Sequence, residues 1–119
     1  MAVEDGGTLA EFRSFRERMN DRILGAGNLE IKRFFALDDR VYREGALPVK
    51  TKELLGLVSS TVLRCDDCIR YHILRCKEEG VTDEEVFETL SVALVVGGSI
   101  TIPHLRRAVD FMDELNAAS

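Results

Sequence analysis

The chain has 119 residues, a length that predicts one domain with a buried core and no need of disulfide or metal staples. Its formal net charge of −5 argues against general binding to nucleic acid or to an anionic membrane, because both require a basic face. Residues 1–12 carry acids and lack the apolar segment of a secretory signal, and no apolar run approaches the roughly 18 residues of a membrane span. We therefore expect a cytoplasmic protein.

Helical periodicity dominates the first half of the chain. Apolar residues recur at helical spacing over 9–23, and the glycines of 25–27 end this first helix. Asn28 is a candidate N-cap for a second helix over 29–44. A strongly apolar third helix is predicted over 49–64.

The second half of the chain is also predicted to be helical. A fourth helix follows the cysteine pair and runs to about Glu79. Thr82 and Glu85 form a capping box that opens a fifth helix, which ends at 97–98, and the last helix covers roughly 100–117. The β-branched run that joins these two helices has the composition of a strand, but no second strand candidate exists to pair with it. We predict an all-α fold, a compact bundle of about six helices.

The third and fifth helices are apolar around most of their circumference. A monomer of this length offers little interior to cover them, so we expect part of their surface to be buried between subunits of an oligomer.

The stretch TVLRCDDCIRYH concentrates the reactive side chains. Cys68 and His72 are four residues apart and therefore neighbours on one helix face. If the helix starts near Asp66, Cys65 lies at its N-terminal end, where the helix dipole favours a thiolate. One thiolate can then attack a substrate while the second thiol resolves the resulting sulfenic acid or mixed disulfide, with His72 moving the proton. This pattern favours dithiol redox chemistry.

Glu53, twelve residues before Cys65, has two interpretations. It is either a first-turn acid at the solvated edge of the third helix, or a buried acid that orients His72 and relays protons. The spacing alone favours the first-turn acid and leaves the buried acid open.

A metal site is the main alternative for the thiols. Cys65, Cys68, His72 and Cys76 give C-x2-C-x3-H-x3-C, which superficially resembles a zinc set. On one straight helix, however, Cys68 and Cys76 would lie about 12 Å apart along the axis, too far to share an ion. Cys76 is better explained as a small buried residue. A site made of Glu53 with the other three residues stays open.

Other polar residues carry weaker signals. His104 is expected to be a surface or interface residue, and Arg106 with Arg107 a solvated helix face. Asp66 and Asp67, between the two cysteines, oppose thiolate formation by their charge but also suit the first turn of a helix.

The four residues Glu53, Cys65, Cys68 and His72 give E-x11-C-x2-C-x3-H. This pattern resembles the signature of the alkylhydroperoxidase D-like branch of the carboxymuconolactone decarboxylase superfamily. The resemblance covers about residues 30–115, which suggests one domain over 1–119 with an N-terminal helical arm at 1–27. It implies an all-helical homo-oligomer, often a hexamer built as a trimer of dimers.

The resemblance also implies the roles of the site residues. Cys68 would attack a peroxide and Cys65 would close the disulfide, while His72 and Glu53 form the proton relay. The local argument agrees on Cys68 through its closeness to His72, and leans towards Cys65 through helix position. A lipoyl-bearing or thioredoxin-like protein would reduce the oxidised pair, and neither a cofactor nor a metal is expected.

One departure bears on the substrate. The characterised peroxidase of the family has a histidine immediately before the second cysteine, and this chain has Asp67. The substrate is therefore a peroxide or a disulfide, and the interpretations are a peroxiredoxin-like peroxidase or a protein disulfide reductase. A non-catalytic homologue that senses redox state or metal is the rival class. Decarboxylation ranks below these, because that branch does not rely on a cysteine pair.

Overall fold

The computed structural model describes residues 4–118, with side chains from residue 9 on. Residues 1–3 and 119, which belong to the predicted 1–119 domain, lie outside the described residues. All regular elements in the described part are helices, which confirms the all-α prediction. Contacts divide the chain into two units, Met1–Arg43 and Glu44–Ser119. The single domain with an arm at 1–27 and a core at 30–115 stays a prediction.

The first unit contains helices α1 (Glu4–Gly25) and α2 (Leu29–Val41). The turn between them uses Gly27 at a φ of +81°, a left-handed conformation that glycine adopts without strain. Asn28 then caps α2, because its side-chain oxygen accepts a hydrogen bond from the backbone N–H of Ile31 at 3.0 Å. The predicted cap is confirmed, but α2 ends three residues before the predicted end at residue 44.

The second unit contains α3 (Val49–Val62), α4 (Asp66–Glu78), α5 (Asp83–Gly97), a short 3-10 turn (Ser99–Thr101) and α6 (Ile102–Ala118). Helix α3 packs against both α4 and α5, and α4 also packs against α6. Helix α4 therefore lies between α3 and α6, and its side chains have partners on both.

Local capping chemistry fixes the ends of α5. The Thr82 hydroxyl accepts from the Glu85 backbone N–H, and the Glu85 carboxylate accepts from the Thr82 N–H, which confirms the predicted capping box. At the other end Gly98 has a φ of +85° and stops the helix. The β-branched run around it forms the end of α5 and the 3-10 turn, so the strand alternative is wrong.

Buried apolar residues lie at helical spacing on all four helices of the second unit. They are Leu57, Ile69, Ile73, Val86, Leu90, Ala93, Ala108, Phe111, Met112 and Leu115. Each large aliphatic side chain among them stabilises the fold by about 1.5–3 kcal/mol relative to exposure. In residues 4–118 no helix combines the length and the apolar character needed to cross a membrane.

Some apolar side chains stay uncovered in the single chain. Val92, Val95 and Val96 share one face at the end of α5, and Ile100 follows on the 3-10 turn. All four are more than half exposed, and Val95 reaches 84%. We call these four residues the α5 apolar strip.

Candidate active site

The connection from α3 to α4 brings Cys65 to the start of a helix. The N–H of Cys65 donates to the carbonyl of Ser60 and the N–H of Arg64 to that of Thr61, both at 3.0 Å. This pair of bonds is a Schellman motif, whose left-handed position is usually glycine. Here Arg64 occupies it, at a φ of 61°. The chain therefore accepts local backbone strain immediately before Cys65.

The two cysteines meet at the N-terminus of α4. The helix begins at Asp66, which meets the condition set for a thiolate-favouring position of Cys65, and Cys65 is its N-cap residue. The Cys65 Sγ accepts a hydrogen bond from the backbone N–H of Cys68 at 3.3 Å. Cys65 is half-buried and Cys68 is exposed. Amide groups at a helix N-terminus favour negative charge on a sulfur held there, and the exposed Cys68 is accessible to a substrate.

Glu53 and His72 form a buried pair between α3 and α4. His72 Nδ1 lies 2.9 Å from Glu53 Oε1, and only 1% of Glu53 is exposed. Glu53 is thus buried rather than placed at the solvated edge of α3. Because a carboxylate only accepts hydrogen bonds, we assign the Nδ1 proton to His72 as the donor. That tautomer leaves Nε2 with a lone pair able to take a proton.

A glycine of α3 makes room for the imidazole. A Cβ atom on Gly56 would lie 2.7 Å from both ring nitrogens of His72, and closer still to Cε1. The Cε1 edge of the ring therefore sits directly against the α3 backbone. Glycine inside a helix costs up to ~1 kcal/mol relative to alanine. The His72 ring can occupy this position only because residue 56 has no side chain.

Arg75, a residue that the sequence reasoning missed, also contacts the buried carboxylate of Glu53. Its Nε lies 3.5 Å from Glu53 Oε2, and its guanidinium also contacts Glu78 and Glu79. Arg75 follows His72 by three positions, so both belong to one face of α4. The spacing H-x2-R on a predicted helix was the available signal. Each carboxylate oxygen of Glu53 thus faces a nitrogen donor from α4.

Cys76 is separated chemically from the other thiols. It is fully buried, which confirms its prediction as a small core residue. Burial, followed by the charge of Glu53, raises the pKa of the Cys76 thiol to about 12. Helix α4 runs unbroken through residues 66–78, so the zinc pattern cannot fold around one ion. Within residues 4–118 no three His, Cys, Asp or Glu side chains group as candidate metal ligands.

Both aspartates between the cysteines lie beside cationic side chains. Asp66 Oδ1 accepts from His104 Nδ1 at 2.7 Å, and Asp66 Oδ2 accepts from Arg107 at 3.3 Å. Asp67 lies 3.6 Å from Arg70, one turn further along α4. His104 and Arg107 both reach from α6 to the cysteine turn, a contact that the expected surface or interface position of His104 and the solvated face of Arg107 did not include. Because His104 and Arg107 are 38 and 41 residues from Asp66, no local sequence pattern indicates these contacts.

The structure thus joins the four predicted site residues in two pairs. Cys65 contacts Cys68, and Glu53 contacts His72. Helix α4 carries Cys68 and His72 four positions apart, which makes them neighbours on its surface. The arrangement places two thiols at a helix N-terminus one turn from an oriented imidazole. Such a group can move a proton to or from a reacting sulfur.

Solved structures of similar proteins share this fold. The carboxymuconolactone decarboxylase family profile matches residues 31–111. The TM1620 protein of Thermotoga maritima is 63% identical, with a TM-score of 0.88 over 91% of this chain and 95% of that chain. The description of its second crystal structure suggests an involvement in antioxidative response. The apo form of lpg0406 from Legionella pneumophila, of the same family, is 26% identical, with a TM-score of 0.65 over 92% and 91% of the two chains.

Two further proteins are similar to this chain in sequence. An uncharacterised protein of the cox locus of Paracoccus denitrificans is 32% identical over 85 residues, which are 71% of this chain and 77% of that protein. Alkyl hydroperoxide reductase AhpD of Corynebacterium kroppenstedtii is 39% identical over 46 residues. This second match is local, since it spans 39% of this chain and 26% of that protein.

Proposed function

Because the chain belongs to the carboxymuconolactone decarboxylase family, we propose that it is a thiol-dependent oxidoreductase that cycles Cys65 and Cys68 between dithiol and disulfide. The observation that carries this proposal is the buried hydrogen bond between Glu53 and His72, on the helix that begins at the cysteine pair. A buried carboxylate that fixes the tautomer of an imidazole near a thiol is the arrangement that proton transfer requires.

The first half-reaction consumes a peroxide. The Cys68 thiol gives its proton to Nε2 of His72, and the thiolate attacks the distal oxygen of the peroxide. The O–O bond breaks, Cys68 becomes a sulfenic acid, and the leaving alkoxide takes the proton back from His72. Sulfur loses two electrons in this step and the peroxide gains them.

The second half-reaction closes the disulfide. The Cys65 thiolate attacks the Cys68 sulfur, the S–O bond breaks and the oxygen leaves as water after taking one proton. An external dithiol then returns two electrons and two protons through a mixed disulfide. We propose a lipoyl-bearing or thioredoxin-like protein as this donor, because an exposed Cys68 is open to the thiol of a macromolecule.

A disulfide is the alternative substrate. Asp67 stands where the peroxidase of the family carries a histidine, so this chain lacks that second imidazole beside Cys68. The same dithiol can attack a disulfide, whose leaving group is a thiolate and not a strongly basic alkoxide that must be protonated. Replacement of the histidine by Asp67 should therefore slow disulfide reduction less than peroxide reduction. The two substrates share Cys68 as nucleophile and differ in the leaving group.

We also propose that the protein works as a homo-oligomer in the cytoplasm, with a hexamer as the expected form. The exposed α5 apolar strip supports burial between copies, since monomers rarely leave neighbouring valines this open. Light scattering coupled to size exclusion measures the assembly directly. A monomer across the micromolar range contradicts this part of the proposal.

Disulfide formation tests the function. One equivalent of peroxide should convert Cys65 and Cys68 to a disulfide, seen as the loss of two titratable thiols in Cys76→Ala protein. Cys68→Ser should abolish the reaction, whereas Cys76→Ala alone should leave it unchanged. If wild-type protein keeps both thiols after peroxide and after a model disulfide, the oxidoreductase proposal is wrong.

The relay needs a separate experiment. Glu53→Gln removes the charge that orients His72 and should slow peroxide-driven disulfide formation about 10- to 100-fold, within the range of general acid–base catalysis. Glu84→Gln, an exposed acid at the start of α5, is the matched control and should retain the wild-type rate. Equal rates for Glu53→Gln and Glu84→Gln would refute the relay and leave the thiol chemistry intact.

The electron donor is identified separately, by measuring turnover with dihydrolipoamide and with thioredoxin.

A further inference from the structure

Asp66 occupies an unusual place in the cysteine turn. It is the first residue of α4, directly after Cys65 and two positions before Cys68. Each of its carboxylate oxygens accepts from a different side chain of α6, Oδ1 from His104 and Oδ2 from Arg107. The backbone that carries both thiols is therefore tied to a second helix through one acid.

The residues that begin α6, which carries both donors, are held in place by burial and a hydrogen bond. The Thr101 hydroxyl donates to the carbonyl of Gly98 at 2.8 Å, and Thr101 is completely buried. His104 follows in the first turn of α6, and its side chain is only 18% exposed. Arg107 lies three positions later on the same face and is 52% exposed. One donor is thus held in the interface between α4 and α6, and the other reaches it from solvent.

The charge of Asp66 matters because it lies among the amide groups that would stabilise a thiolate. A carboxylate at a helix N-terminus competes with a neighbouring thiolate for the same positive potential. A cation beside the carboxylate offsets that competition, and two donors hold the acid at the α6 side of the turn. Neither donor needs to touch a sulfur to act in this way.

We propose that His104 and Arg107 are positioning residues that, through Asp66, set the reactivity and the thiol–disulfide equilibrium of the Cys65–Cys68 pair. This inference rests on the proposed function in that the pair is redox-active. Removal of Arg107 takes away the exposed cation that lies 3.3 Å from the carboxylate of Asp66. The reduced, thiolate-forming state is then less favoured, so attack slows and the disulfide becomes harder to reduce.

The test uses thiol chemistry without any enzymatic substrate. In a Cys76→Ala background, Arg107→Gln should slow the reaction of Cys68 and Cys65 with an aromatic disulfide reagent at pH 7 about three- to tenfold, as expected for one charge near the surface. Arg106→Gln removes the same charge from the neighbouring position, which is exposed, and should stay within about twofold of wild type. Equal slowing by both variants overturns the proposal.

A double-mutant cycle with Asp66 separates this mechanism from a general effect on α6. In an Asp66→Asn background, Arg107→Gln should change neither the thiol rate nor the disulfide fraction in a glutathione buffer by more than about twofold. Arg107→Lys should restore most of the wild-type rate, since it keeps the charge. The Arg107→Gln defect should also shrink in 1 M salt, where the Debye length is about 3 Å instead of about 10 Å at 0.1 M. A full defect that persists without Asp66 refutes the proposal.

His104 has its own arm of the experiment. His104→Phe keeps a ring of similar size but removes the hydrogen-bond donor. It should slow the reaction of the cysteines with the reagent when Asp66 is present, but not in the Asp66→Asn variant. His104→Gln retains an N–H donor and should rescue part of it. If wild-type protein shows no turnover of peroxide or disulfide, the proposed function fails, yet these couplings still decide the inference. If turnover is normal and the couplings are absent, only the inference fails.

Discussion

Substitution of Gly56 by alanine is the sharpest probe of the Glu53–His72 pair. The new Cβ would lie 2.7 Å from both nitrogens of His72 and closer still to Cε1, so the ring must retreat by more than about 0.7 Å before every contact reaches 3.4 Å, the lower limit of ordinary contact. Glu53 is buried on the same helix and cannot follow freely. The 2.9 Å hydrogen bond between Nδ1 and Oε1 is therefore stretched or lost.

The free energy of unfolding has two opposing contributions. Alanine gains up to ~1 kcal/mol over glycine inside a helix. Overpacking costs about 1–3 kcal/mol, and a weakened buried hydrogen bond to a charged group costs about 1.5–3 kcal/mol. Because these costs overlap, we expect a net loss of about 2 kcal/mol. Urea unfolding followed by circular dichroism measures it, and the peroxide-driven formation of the disulfide should slow in parallel.

The sign of the effect should reverse when the imidazole is absent. In a His72→Ala background the three atoms nearest to the new Cβ are gone, so Gly56→Ala should raise the free energy of unfolding by about 0.5–1 kcal/mol. Gly25→Ala, where no atom lies within 4 Å of the added Cβ, is the control for replacing a helical glycine in open space. If Gly56→Ala has the same sign in both backgrounds, the close contact with His72 does not explain the glycine.

Three further predictions concern other parts of the chain. Cys76 should resist thiol reagents in the folded protein, because burial raises its pKa to about 12, and should react only after denaturant is added; immediate reaction of three thiols contradicts this. Arg64→Gly should raise the urea midpoint by the equivalent of about 0.5–1 kcal/mol, since glycine relieves the φ of 61°, whereas a lower midpoint contradicts the strain. Lys77 and Asn116 lower the pKa of Asp83 below its ordinary 3.8, so Asp83 stabilises the fold above that pH and loses the effect as pH falls through its folded pKa. Asp83→Asn should therefore cost about 0.5–1 kcal/mol at pH 7 and nothing near pH 2, as measured by thermal unfolding across pH.

Helix ends were predictable where the deciding chemistry is local. Asn28 and the pair Thr82–Glu85 satisfy free amide groups within three residues of themselves, so the sequence contains the whole interaction. The end of α2 could not be predicted in this way, because no residue between Val41 and Gly45 carries a comparable signal for the end of a helix. The β-branched run at the end of α5 was correctly predicted to be helical, because the capping box opens α5 and the sequence offers no second strand to pair with it.

The site divides along the same line. The helical spacing of Cys68 and His72 is local, and so is the place of Cys65 at the start of α4. Glu53 is nineteen positions from His72, and periodicity alone left it between two interpretations. Only the resemblance to a family favoured burial. Arg75 contacts Glu53 from the same helix as His72, and the H-x2-R spacing on α4 is the local feature of the sequence that points to it.

The acids between the cysteines show what a one-dimensional pattern leaves out. Read in sequence, Asp66 and Asp67 only add negative charge beside a thiol. In the fold, Asp66 accepts from two donors of α6, thirty-eight and forty-one positions away, and its charge no longer acts alone. The electrostatic character of a C-x-x-C pair is therefore a property of the helices packed around it as well as of the two residues it encloses. A substitution on α6 can change the thiols without changing the motif.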